Sequence, residues 1–152
     1  MFKKISILIL IPIFCFSCGY TPMYSKNVNK QFKIELLDFE GDREISKNLK
    51  FNLEKNNYPD ANQKVVISAI TNYTKSSETK NLEGNIESYN LAATVIFKVK
   101  YNNVEKIFQF SENSKMKAQD NKYNELSYEK DIKMNFAKLF TNKIILQFSR
   151  LK

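Results

Sequence analysis

The sequence predicts an α+β two-layer sandwich, a four-stranded sheet carrying two helices on one face, in the order βαβββα. Three observations lead there. Residues Tyr89 to Tyr101 alternate apolar and polar side chains, and an apolar alternation resumes just past the pair Asn102-Asn103. Two other segments repeat apolar residues at helical spacing. One apolar sheet face and two apolar helical stripes can bury each other in a single pair of layers, and no internal repeat suggests a second domain.

The elements follow in chain order. Phe32 to Phe39 is the first strand, with Phe32, Ile34 and Leu36 on one face. Gly41-Asp42 breaks it, and Asp42 is placed to cap a helix from about Arg43 to Lys55. Ile45, Leu49 and Leu53 give that helix a narrow buried stripe, and Asn56, Asn57 and Pro59 end it. Lys64 to Tyr73, rich in Val and Ile, is the second strand. Thr74 to Asn85 is polar and contains Gly84, so it reads as either a long loop or frayed strand ends.

The hairpin comes next. With Asn102-Asn103 as a two-residue turn, Tyr101 pairs with Val104, Phe97 with Phe108 and Val95 with Phe110. Asn tolerates the positive φ that such a turn needs. This register gathers the aromatic and branched residues on one face, and a slip of one residue would scatter them. The other face carries Asn90, Thr94, Lys98, Ser111, Asn113, Lys115 and Lys117, so it meets water or a polar partner. From about Asn124 the period turns helical, with Ile132, Phe136, Leu139, Phe140, Ile144, Phe148 and Leu151 as the stripe.

Ahead of this domain (residues 32–152) stands a different kind of segment. Lys3 and Lys4 precede an apolar run from Ile5 to Phe16, too short to span a bilayer but suited to a secretory signal. The run ends at Ser17-Cys18-Gly19, which resembles a bacterial lipobox, so residues 1–17 are expected to be removed and Cys18 to be lipidated. Cys15 stands where such boxes carry Leu, Val or Ile. An ordinary cleaved signal and an uncut anchor are the competing readings. Residues 18–31 form a polar tether with Pro22 inside it. Several acyl chains on Cys18 would make membrane attachment effectively permanent, whereas one holds only marginally.

Removing the signal discards Cys15 and occupies Cys18, so no disulfide is expected. The net charge of +8 falls to +6 with the loss of two lysines. A basic surplus suits anionic partners. Here nearly all of it is lysine, with Arg43 and Arg150 as the arginines, a composition an AT-rich genome also produces. Export takes nucleic acid out of reach.

Histidine is absent, which removes the commonest general base and metal ligand. The only glycines are Gly19, Gly41 and Gly84, so no phosphate-binding glycine loop exists. Asp38, Glu40, Asp42 and Glu44 cluster at the strand-to-helix turn, where acids favour a helix start more simply than they suggest catalysis. No enzyme, metal or cofactor is expected.

Cys18-Gly19-Tyr20-Thr21-Pro22-Met23-Tyr24 resembles the start of the LPS-assembly lipoprotein LptE family, in particular its alphaproteobacterial branch. Phe32 to Leu53 is similar to that family's first strand and helix, and Tyr123 to Leu151 to its closing helix. The scarcity of arginine is a departure. The resemblance implies an outer-membrane lipoprotein with two helices on a four-stranded sheet. It implies a plug inside the LptD β-barrel that assists barrel assembly and binds lipopolysaccharide. Gly19 after the cysteine agrees with sorting to the outer membrane, on its periplasmic side. Lys98, Lys115 and Lys117 are then candidate contacts for lipid A phosphates; solvated lysines that discourage strand aggregation are the plainer reading. The apolar stripes are expected to be core and not an acyl pocket. Two other functions fit a lipid-anchored α+β domain: an auxiliary lipoprotein of a phospholipid-transporting ABC system, and a periplasmic binding, inhibitor or adhesin protein.

Overall fold

A computed structural model describes residues 32–148 and residue 150. The signal, the tether with Cys18, and Leu151 lie outside the described residues. The elements are β1 (Phe32–Gly41), α1 (Arg43–Lys55), β2 (Gln63–Lys80), β3 (Ile86–Tyr101), β4 (Val104–Lys117) and α2 (Lys122–Phe148). The sheet runs in the order β1-β2-β3-β4, with β1 parallel to β2 and the other pairs antiparallel. Helix α1 packs on β1 and β2, α2 packs on β3 and β4, and the two helices pack on each other. The expected α+β sandwich is the one observed.

Local chemistry explains the joints. Gly41 leaves β1 with φ +95°, and a Cβ there would overlap the Thr71 carbonyl oxygen of β2. Only glycine fits that approach. Asp42 then caps α1, its Oδ1 accepting from Ile45 N–H at 3.0 Å. Ser46 Oγ and Thr71 Oγ1 lie 2.9 Å apart, and both donate to the Glu40 carbonyl. This small hydroxyl cluster satisfies polar groups that α1 buries against the sheet. Asn102 and Asn103 take φ of 47° and 62°, the twin positive values of a type I′ turn. The register Tyr101↔Val104, Phe97↔Phe108 and Val95↔Phe110 is as expected.

The core lies between the helices and one sheet face. Ile45, Leu49 and Leu53 of α1 are fully buried, as are Val65, Ile67, Leu91, Val95 and Phe97 of the sheet and Phe140 and Ile144 of α2. Phe32 sits edge-on to Phe148 at 5.7 Å and to Tyr101 at 6.2 Å, which joins the first strand to the last helix. Leu139 departs from the expected stripe: it is 44% exposed, and Ala137 and Thr141 take the inward positions around it.

The polar segment at 74–85 resolves in favour of strand. Strand β2 continues to Lys80 and β3 begins at Ile86, with Ser76↔Asn90 and Ser77↔Tyr89 still paired. The turn between them is held by Asn81, whose Oδ1 accepts from Glu83 N–H and Asn85 N–H at 3.0 and 2.8 Å. Residues Ser77–Lys80 are all exposed, so nothing there imposes an apolar alternation.

Candidate functional site

The face of the sheet opposite the helices is uncovered among the described residues. Period-2 geometry sends Val66, Ser68 and Ile70 of β2, Thr94, Ile96 and Lys98 of β3, and Ile107, Ser111 and Lys115 of β4 to that side. One end of the face is apolar, with Ile70 at 46% and Ile107 at 63% exposure and Ile96 half-buried between their strands. The other end is polar, where Thr94 and Ser111 hydroxyls lie 3.1 Å apart across the strands.

All three candidate lysines lie on this face, as read from the sequence, yet they do not converge. Lys98 stands opposite Ile107, and Lys115 is eight positions further along β4, about 27 Å away at strand rise. Lys98 belongs to the apolar end. It borders a groove of about 260 Å³ with Asp38, Glu40, Ser68, Ile70 and Ile96. Lys115 is paired with Glu78 of β2, and Lys117 lies beyond it opposite Ser88. Of the clustered acids, Asp42 caps α1, while Asp38 and Glu40 face the groove.

Sequence reasoning missed a charged clasp on the opposite, helix-covered face. Lys75 occupies an inward position on β2, across from Leu91. Its Nζ donates to Glu125 Oε1 and Glu129 Oε2 of α2, each at 2.9 Å. Tyr73 OH donates to Glu129 Oε1 at 2.9 Å, and Lys133 Nζ reaches Asp42 Oδ2 at 2.8 Å. Lys75 and Lys133 also lie over the rings of Tyr89 and Tyr73. The signal was present: Glu125, Glu129 and Lys133 repeat at four-residue spacing, and Tyr73 and Lys75 keep the inward parity of β2.

The environment shifts these groups consistently. Hydrogen bonding from Lys75 holds the Glu125 carboxyl below its ordinary range, against the opposing effect of burial. At Glu129 burial pushes upward, and the bonds from Lys75 and Tyr73 and the nearby lysine charges outweigh it, so its carboxyl is lowered too. Burial works against the Lys75 ammonium, but its two carboxylate partners raise it overall. Tyr73 is raised, first by burial and then by its bond to Glu129. The arrangement keeps both acids charged and binds helix to sheet. It presents no nucleophile beside a free base.

Among the described residues no group of acids is placed to hold a metal ion, and no helix is long and apolar enough to cross a membrane. No protein-family model and no curated relative matches the chain. Solved structures do. Rare lipoprotein B from Shewanella oneidensis superposes with a TM-score of 0.56 at 16% identity, over 76% of this chain and 98% of that one. A Caulobacter crescentus protein classed by name as a lipoprotein superposes with a TM-score of 0.51 at 16% identity, over 77% of this chain and 88% of that one. Identity this low establishes the fold alone, and that fold is one this chain shares with bacterial lipoproteins.

Proposed function

We propose that the chain is an outer-membrane lipoprotein, anchored through Cys18 on the periplasmic side. In this reading it serves as plug and assembly subunit of an LptD-like β-barrel in lipopolysaccharide transport. It is a binding and scaffolding protein, not an enzyme. The observation that carries the reading is the open sheet face, where Ile70, Ile96 and Ile107 surround Lys98. Such a surface offers apolar cover to the acyl chains of a phosphorylated amphiphile and, in Lys98, a compact cation to a phosphate held clear of the Asp38 and Glu40 carboxylates that share the groove. The Cys18–Tyr24 resemblance and the shared lipoprotein fold support it. Helices α1 and α2 back the opposite face, so a ligand or barrel wall can be met without disturbing the core.

The test is capture of the full lipidated chain from detergent-extracted membranes. A large β-barrel partner is expected, together with lipopolysaccharide that is lost when Lys98, Lys115 and Lys117 are changed to Gln. Recovery of an inner-membrane permease instead would replace this reading with a phospholipid-transport role. Lipopolysaccharide binding that ignores the triple change would retire these lysines as the contact.

A further inference from the structure

The two edges of the sheet are managed differently. Strand β1 is bulged between Leu36 and Phe39, and the chain after α1 folds back over it. Asn57 Oδ1 accepts from Ile34 N–H at 2.8 Å, and Tyr58 N–H donates to the Phe32 carbonyl at 3.1 Å. These contacts occupy backbone groups that an edge strand otherwise offers to another chain. Strand β4 has none of these devices. Its pairing with β3 runs unbroken from Val104 to Lys117, it contains no proline, and no described residue pairs with its outer side.

The turn type determines which groups β4 presents. In a two-residue turn Val104 N–H bonds back to the Tyr101 carbonyl, so the even-numbered residues of β4 bond to β3. Glu105, Ile107, Gln109, Ser111 and Asn113 therefore aim their N–H and C=O groups at the free edge. The side chains of Lys106, Phe108, Phe110 and Glu112 share the inner face, in an order that is its own complement when reversed.

We propose that the free edge of β4 pairs antiparallel with β4 of a second copy, about a two-fold axis through Gln109, to form a continuous eight-stranded sheet. In this register Lys106 faces Glu112 of the other copy, and Phe108 faces its Phe110; the two-fold repeats both pairs. Ile107 meets Ser111, Glu105 meets Asn113, and no like charges oppose. Moving the axis by one residue to Phe110 sets Phe108 against Glu112, and moving it to Phe108 sets Lys106 against Phe110. Only the Gln109 axis satisfies charge and ring together, and it puts both kinds of pair at the closely spaced, non-hydrogen-bonded positions. Lys106 has no ion partner among the described residues, and Glu112 is held by Lys143 from α2 on its own chain. The phenyl rings that would meet are half-buried in the single chain. This inference does not depend on the barrel reading.

The experiment is disulfide trapping in the full-length chain, with the unchanged chain alongside to set the background from Cys15 and Cys18. Gln109→Cys places two sulfurs on the axis, where a hydrogen-bonded pair has Cα atoms about 5.5 Å apart, within reach of a disulfide. It is expected to give a covalent dimer on mild oxidation. Ser111→Cys alone should stay at background, and mixed with Ile107→Cys it should cross-link. Adding Lys106→Glu to Gln109→Cys should lower the trapped fraction roughly tenfold, because two attractive pairs become repulsive. Absence of the Gln109→Cys dimer, as when residues 18–31 or a different protein cover the edge, overturns the proposal. So does equal trapping at all three positions, which would mean collision without register.

Discussion

The two faces of the sheet come from the same alternating strands and differ in what covers them. On the inner face Val65, Ile67, Leu91, Val95 and Phe97 are sealed under two helices. On the outer face Ile70 and Ile107 are left in solvent beside lysines and hydroxyls. The exceptions on each side are the instructive residues. Polar groups that point inward, Tyr73 and Lys75, are matched atom for atom by carboxylates of α2. Apolar groups that point outward have no such match. A buried polar group must find its partner within the chain, whereas an exposed apolar one can wait for a partner from outside.

Substitutions ranked by effect would break or sharpen that contrast. Phe140→Ala, at a fully buried position, should cost about 3–5 kcal/mol in urea denaturation. Gly41→Ala should cost about 2–4 kcal/mol by the same measurement, since a left-handed φ and an overlap with the Thr71 carbonyl act together. A near-neutral result there would mean that the β1–α1 joint is not tightly seated. Lys75→Met should cost about 2 kcal/mol, less than breaking a fully buried pair, because Lys75 keeps some solvent contact and each acid keeps a second partner, Lys122 for Glu125 and Tyr73 with Lys133 for Glu129.

The clasp also has a pH signature. Glu125 and Glu129 are lowered in the folded chain, so their contribution is fully present above the ordinary carboxylate value of about 4.3 and is lost as pH falls through their lowered values. Lys75 is raised, so its contribution holds below about 10.5 and fades only as pH climbs past its folded value. Stability measured against pH should therefore fall on the acid side, and Lys75→Met should flatten that fall. The smallest effect belongs to the outer face. Changing Lys98, Lys115 and Lys117 together to Gln should move stability by no more than about 0.5 kcal/mol while weakening lipopolysaccharide binding. A large loss of stability would show that this face carries structural weight.

Much of the inner layer was legible because burial writes a period into the sequence. The order of elements, the Asp42 cap, the α1 stripe and the register of the β3–β4 hairpin all follow from apolar spacing and turn chemistry. The far ends of β2 and β3 were ambiguous for the converse reason: Ser77–Lys80 are all exposed and carry no period to read. Leu139 misled because it extends an apolar stripe that packing does not use. The clasp stayed hidden because Lys75 and Glu125 look like surface residues until the α2 helix is laid on the sheet within reach of the β2 side chains. The three lysines were assigned to the right face, and the distance between Lys98 and the other two was already implicit in the hairpin register that the structure reproduces.

The ribbon formed by the ends of β2 and β3 closes in a turn where a Cβ on Gly84 would meet nothing within 4 Å, and Leu82 is fully in solvent. Lengthening such a loop costs only about 0.6 kcal/mol per doubling. A bulky reporter module spliced between Leu82 and Glu83 should thus leave the fold standing. Its size would then act as a gauge: a chain that folds with the insert but no longer enters its assembly would measure how much room the partner leaves around this tip.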